Sequence, residues 1–335
     1  MSGYSTRDVP VPGGCLRIGV WESVDVAAGA PVRRGVLALH GISASHLAWV
    51  IVARVLTAGD GVRVLAPDLR GRGRSGALPG PWGMARHADD AAAALDAVGL
   101  SDVDVVGHSM GGFAAMAFAG RYAERMRSLL LVDGGVPIPP PPGMSSREAL
   151  AATLGPAAER LQRTFASVEQ YRQFWQRHPA LATDWTPDIT AYIDYDLTGT
   201  PPALRSSCSL EAVIHDSEQL ASDTDLLRWW NELERDVLFL RAPSGLLGGP
   251  ALYAPSALDE WQARIPSLSW RDVPDVNHYT ITLSERGAVA IAAEIMRRSA
   301  AARPGTRARP DGHRHAEHAG RYDEHGETGG TGVPT

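Results

Sequence analysis

From residue 34 to residue 133, short apolar runs alternate with alanine-rich stretches. GVLALHG (35–41), VRVLAPD (62–68), DVDVVGHS (102–109) and SLLLVDGG (128–135) are each a brief β-branched or leucine-rich run closed by turn residues, the pattern of a strand. Runs without polar alternation suit a parallel sheet covered on both faces. Between them His46–Ala58, Ala85–Val98 and Met110–Tyr122 have the length and composition of helices. A β-α-β-α-β-α-β order predicts a doubly wound, mostly parallel sheet. Upstream, LRIGVWES (16–23) reads as a strand of an antiparallel edge, entered through Pro12-Gly13-Gly14.

After Asp133 the alternation stops. GGVPIPPPPGMSS (134–146) is a proline run that suits a stiff connector. From about Ser145 to Glu234 the chain is helical in character and carries Phe165, Tyr171, Phe174, Trp175, Trp185, Tyr192, Tyr195, Trp229 and Trp230. Strand and helix logic then resumes with DVLFLRAP, a helix near Ser256–Ala263, SLSWRDV and a last helix over Ser284–Arg298. The expected organisation is a core over 1–135 and 235–301, interrupted by a helical cap over 136–234. The segment 302–335 is polar with almost no aliphatic residues, a composition that predicts disorder. Its His313, His315, His318 and His325 fit a solvated tail better than a metal site.

Composition narrows the picture by exclusion. A net charge of −6 offers no basic face for nucleic acid or an anionic membrane. No run approaches the ~20 apolar residues of a membrane span, and the N-terminus lacks the basic and apolar segments of a secretory signal. Two cysteines, Cys15 and Cys208, are too few for a disulfide framework or a zinc site and read as small buried or half-buried thiols. The expectation is a cytoplasmic protein without metal or organic cofactor.

The chemistry concentrates at Gly107-His108-Ser109-Met110-Gly111. This G-x-S-x-G stands after a strand and before a helix, the context in which the serine occupies a strained turn with its Oγ above the sheet. Flanking glycines admit the tight approach of strand and helix, and the helix N-terminus favours developing negative charge. With Leu39-His40-Gly41-Ile42 and with the run from Pro67 to Ser75 (PDLRGRGRS), this stretch makes the chain resemble the α/β-hydrolase superfamily over roughly residues 10–300. The resemblance is specific for the superfamily and poorly specific for a reaction, because one fold hosts many chemistries.

The resemblance implies Ser109 as nucleophile and the backbone N–H groups of Ile42 and Met110 as oxyanion donors, with Ser43 an alternative to Ile42. It implies His278, in the loop after the last strand, as the base. His40 and His108 fall at positions that support the loops, Asp68 and Arg70 at positions that pin the loop below the site, and His46 close enough to line a pocket. The acid is less direct. Many members carry it after the penultimate strand, where this chain has Ser244-Gly245-Leu246-Leu247-Gly248-Gly249-Pro250 and no carboxylate. A second arrangement puts it at the end of the strand after the nucleophile helix, here Asp133. Three readings stay open: Asp133, no functional acid, or another carboxylate such as Asp275 or Asp259.

The expected reaction is hydrolysis of an ester or lactone of a hydrophobic small molecule through an acyl-enzyme, with the cap choosing the substrate. Carbon–carbon bond hydrolase, thioesterase or perhydrolase chemistry on the same residues stays open, as do rearrangement of a substrate and a ligand-binding role with little turnover. A serine rather than an aspartate at the elbow argues against epoxide or haloalkane hydrolysis. The sequence is silent on oligomeric state.

Overall fold

The computed structural model describes residues 3–137, 143–145, 148, 159–222 and 224–301. Most of the proline run and the whole of 302–335 lie outside the described residues. Strands β1 (Gly3–Val11), β2 (Gly14–Glu22), β3 (Arg34–Leu39), β4 (Val62–Pro67), β5 (Val103–His108), β6 (Met126–Val132), β9 (Val237–Arg241) and β10 (Leu268–Asp272) form one sheet in the order β1-β2-β4-β3-β5-β6-β9-β10. β1 pairs antiparallel with β2 and β2 antiparallel with β4, while every pairing from β4 to β10 is parallel. The winding reverses between β3 and β5, so the loops after these two strands diverge and leave a crevice at their carboxyl ends, where doubly wound sheets place their sites.

β3, β5 and β9 are apolar almost throughout because both faces of the sheet are covered. On one face Leu37, Leu39, Val105, Leu129, Leu131 and Phe239 pack against α3 (Met84–Ala97) and α4 (Met110–Arg121). The residues between them, Val36, Ala38, Val106, Leu130, Val132 and Leu240, pack on the other face against α2 (Val50–Leu56) and α11 (Glu285–Ala301). This is the two-residue side-chain period of a strand with both sides buried. The helix α4, with residues 110–119 all buried, is apolar on all sides because the sheet and neighbouring helices enclose it.

The sequence pattern missed β1. Seven of its nine residues are at least partly exposed and it carries Pro10, so it shows no hydrophobic alternation; an edge strand tolerates both, since its backbone pairs on one side only. Between β6 and β9 lie α5 (Val168–Gln176), α6 (Pro187–Tyr195), a two-residue ladder of β7 (Leu197–Thr198) with β8 (Arg205–Ser206), α7 (Leu210–Ser222) and α8 (Thr224–Glu232). Ser167 Oγ accepts from Gln170 N at 3.1 Å and Thr186 Oγ1 from Ile189 N at 3.2 Å, so α5 and α6 each start on a hydroxyl cap. Phe165, Tyr171, Trp175, Leu181, Ile189, Tyr192, Ile193, Leu197 and Leu204 form a cap core of their own, which touches the main body through Ala48 and Leu283. Trp229 and Trp230, grouped with the cap by sequence, instead pack into the core beside the sheet, and Trp230 Nε1 donates to Gly135 O at 3.0 Å.

Candidate functional site

Ser109 occupies the residue between β5 and α4 with φ 55° and ψ −126°, a left-handed backbone at a non-glycine residue. The neighbouring glycines make the turn. A Cβ at Gly107 would lie 2.2 Å from the Gly111 carbonyl oxygen, and one at Gly111 would lie 2.1 Å from that of Leu39. Ser109 N donates to Val132 O at 3.0 Å, which ties the turn to the end of β6. Gly41, in the loop after β3, faces it so closely that a Cβ there would sit 3.6 Å from Ser109 Oγ. Met110 is the first residue of α4, where helix N–H groups have no intrahelical acceptor.

Asp133 follows β6 directly, is fully buried, and also has a positive φ, 46°. Its Oδ1 accepts from Ala242 N at 3.1 Å and its Oδ2 lies 2.7 Å from His278 Nδ1. The next residue packs on the nucleophile turn: a Cβ at Gly134 would come within 2.4 Å of Ser109 Cα. His278 is buried in the loop after β10 and is fastened through His278 N to Ser244 O (3.0 Å) and through His278 O, which accepts from His108 Nε2 (2.8 Å). With Nδ1 turned to a carboxylate, the imidazole carries its proton there and offers Nε2 as the basic nitrogen. Among the described residues, Nε2 makes no hydrogen bond and Ser109 Oγ is not bonded to it. The other carboxylates considered for the acid stand apart: Asp275 is exposed, and Asp259 is exposed on α9 (Pro255–Arg264), where it accepts from Trp270 Nε1 at 3.0 Å.

Supporting residues fall into two layers. Fully buried His40 has Nδ1 2.8 Å from Gly41 O and accepts from Leu69 N at Nε2 (2.9 Å); burial pushes its pKa down to about 3, so it is neutral. Burial, reinforced by His278, likewise holds His108 well below the ordinary histidine range. Arg70 forks onto Asp90 at 2.8 and 3.0 Å and also holds the carbonyls of Pro12 and Pro79. Arg72 Nε donates to Ile42 O at 2.8 Å, and its Nη1 meets Asp216 of α7 at 2.5 Å. In the sequence Arg72 stands only as a member of the PDLRGRGRS run, with no role of its own, and nothing there marks Asp216.

His46 does not line a pocket, as its position after the oxyanion loop suggested. It is fully buried, with Nδ1 2.7 Å from Asp68 Oδ1 and Nε2 2.8 Å from Tyr4 Oη. Asp68 receives two further donors at Oδ2, Arg74 N at 2.8 Å and Tyr195 Oη of α6 at 2.7 Å. Burial opposes its charge, but His46 outweighs that and keeps its carboxyl below the usual range.

The cap presents aromatics to the loop that carries His278. Trp175 and His178 lie 6.2 and 5.2 Å from the ring of Tyr279, the neighbour of His278. A small cleft between the loop after β3 and the cap is lined by Ser43, Ala44, Ser45, Trp175, Tyr192, Ile193 and Asp196. Cys208 is buried near Ile42 O, whereas Cys15 is exposed on β2, contrary to its reading as a buried or half-buried thiol. Among the described residues no cluster of side chains could hold a metal ion, and no helix is long and apolar enough to cross a membrane.

Comparison with known proteins agrees with this architecture. The chain is 29% identical to lipase LipV of Mycobacterium tuberculosis over 204 residues, 61% of this chain and 68% of that protein. It is 41% identical over 86 residues to 2-hydroxymuconate semialdehyde hydrolase of Pseudomonas putida, but this match spans 25% of this chain and 31% of that one. Among solved structures, E-2-(acetamidomethylene)succinate hydrolase superposes with a TM-score of 0.70 at 22% identity, covering 88% of this chain and all of that one. The peroxisomal α/β-hydrolase Lpx1 of Saccharomyces cerevisiae gives 0.70 at 16% identity, covering 91% of each chain. The family model described as the alpha/beta hydrolase fold matches residues 36–282, and the chain belongs to the α/β-hydrolase family.

Proposed function

We propose that this protein is a serine hydrolase that cleaves an ester or lactone bond of a hydrophobic small molecule through an acyl-enzyme. The observation that carries the reading is the buried 2.7 Å contact between His278 Nδ1 and Asp133, beside a serine in a strained strand-to-helix turn. His278 Nε2 takes the Ser109 proton as Oγ attacks the carbonyl carbon, and Asp133 holds the tautomer and stabilises the imidazolium. The N–H groups of Ile42 and Met110 receive the charge that develops on the carbonyl oxygen; one such donor is typically worth about 2.7–4 kcal/mol. His278 returns its proton to the leaving alcohol, then activates the water that attacks the acyl-enzyme. For the proton to pass, Ser109 Oγ and His278 Nε2 come within hydrogen-bond reach in the acylation step.

The rings of Trp175 and of Tyr279, the chain neighbour of His278, lie 6.2 Å apart and support a hydrophobic substrate. The relatives carry lipase and hydrolase names and so support hydrolysis in general, while the bond cleaved rests on the site chemistry. A ligand-binding role without turnover was motivated by the lack of a carboxylate after β9, and the position of Asp133 weakens that motive. The test is intact-protein mass after treatment with a fluorophosphonate. One phosphonyl adduct on the wild type and none on Ser109→Ala is the expected result. A folded wild type that stays unmodified, or a variant that is modified equally, would overturn the reading.

A further inference from the structure

Resting on that reading, we infer that Arg72 is a positioning residue for acylation: it fixes the oxyanion loop from behind and couples that loop to cap helix α7 through Asp216. The guanidinium is wholly buried and each of its nitrogens has a partner. Nε donates to Ile42 O at 2.8 Å, Nη1 donates to Arg70 O at 2.8 Å and pairs with Asp216 at 2.5 Å, and Nη2 lies 3.7 Å from Met110 Sδ. One planar group therefore touches both residues whose amides are assigned to the oxyanion hole.

The effect on rate follows from peptide geometry. Holding the Ile42 carbonyl fixes the peptide after residue 42 and so restrains its Cα, while the peptide before it, which carries the N–H, is held through Gly41 O by His40 Nδ1 at 2.8 Å and Ala44 N at 3.2 Å. Preorganised donors contribute because they need not reorient when charge appears; a loop released at the Ile42 carbonyl keeps its hold at Gly41 O but loses the one beyond the Ile42 Cα, so the donor is less well placed at each turnover. Arg72 also sets a positive charge behind the hole.

Asp216 makes this arrangement depend on the cap. It is fully buried on α7, and its Oδ2 also lies 2.9 Å from His87 Nε2 of α3. Where α7 seats, Arg72 is anchored at one edge and can hold Ile42 with the other. A lysine supplies the charge but has a single head and cannot bridge the two edges.

A purely structural ion pair would explain the burial but not a change in acylation, and charge removal separates the two. Single removal leaves an uncompensated buried charge, whereas Arg72→Met with Asp216→Asn removes both charges together. Fluorophosphonate labelling kinetics on wild type, Arg72→Met, Arg72→Lys and the double variant, alongside thermal unfolding, is the experiment. We expect maximal labelling rates at least tenfold below wild type in all three variants, with the half-saturating probe concentration within twofold. The double variant should regain thermal stability over Arg72→Met without regaining rate. A double variant that labels within threefold of wild type would overturn the proposal, as would a folded Arg72→Met or Arg72→Lys that does so. A wild type that does not label overturns the hydrolase reading and this one with it. A wild type that labels at Ser109 alongside unaffected variants overturns this one alone.

Discussion

Three buried Asp–His pairs stand among the described residues, and the two shortest, equal in length, differ in what surrounds them. His278 and Asp133 meet at 2.7 Å behind the nucleophile turn, and so do His46 and Asp68 beneath the cap. In the second pair every polar atom is used: His46 Nε2 holds Tyr4, and Asp68 accepts four hydrogen bonds, two of them from His46 itself. In the first pair Asp133 accepts only from His278 and Ala242, and His278 Nε2 has no hydrogen bond among the described residues. A buried carboxylate–imidazole contact is therefore no signature of catalysis by itself, and it carries the proposed reading only together with the strained Ser109 turn. On the proposed reading the reactive pair is the one whose second ring nitrogen is left for a proton in transit; the closed pair ties β1, the loop after β4 and helix α6 together.

That contrast can be broken by experiment. The largest effect belongs to the open pair. Asp133→Asn should lower kcat by roughly 10³–10⁴-fold, because the wrong tautomer of His278 is stabilised, while the fold persists; a loss below tenfold, measured on a p-nitrophenyl ester, would count against Asp133 as the acid. Asp68→Asn should reverse the pattern. It discharges a buried carboxylate that gathers four donors and should cost about 3 kcal/mol of unfolding free energy, with kcat within about threefold of wild type. An Asp68→Asn enzyme that is stable but inactive would mean that the second pair takes part in the chemistry.

A smaller effect comes from the neutral histidines. His40 titrates at about 3 in the folded protein and ordinarily near 6.5. Between those values the unfolded chain binds the proton and the folded one does not. Stability contributed by neutral His40 is thus fully present above about pH 6.5 and is lost as the pH falls towards 3, at up to about 1.4 kcal/mol per pH unit. Denaturant unfolding at pH 7.5, 6 and 5 should show the decline, with a shallower slope for His40→Gln; equal slopes would contradict it. Tyr4→Phe is the mildest change. It removes one partly exposed hydrogen bond to His46 and should cost about 0.5–1 kcal/mol with unchanged turnover; a larger loss would show that the closed pair depends on its outermost member.

The sequence made the open pair easier to find than the closed one. Ser109 is marked by glycines that the turn requires, and His278 by its place after the last strand. Asp133 stands in the sequence as one of three open readings for the acid, reached through the superfamily resemblance, and the structure brings its Oδ2 to 2.7 Å from His278 Nδ1. The continuous apolar runs of β3, β5, β6 and β9 announced a sheet covered on both faces. What stayed hidden depends on distant parts of the chain meeting. Tyr195 reaches Asp68, and Asp216 reaches Arg72, only because the cap folds back over the crevice. No local pattern records that return. β1 was missed for a related reason: it is held by backbone pairing to β2, which leaves its side chains free to be polar. Trp229 and Trp230 misled because aromatic density shows that a segment is buried without showing against what.

The most direct test of the account is capture of the covalent intermediate. The wild type, mixed with a p-nitrophenyl ester and quenched in acid within the first turnovers, would be digested and mapped by mass. The account requires the acyl group on the peptide carrying Ser109, absent from Ser109→Ala and accumulating on His278→Ala too slowly to detect on that timescale. Turnover with no acylated peptide, or with the acyl group on another residue, would contradict it.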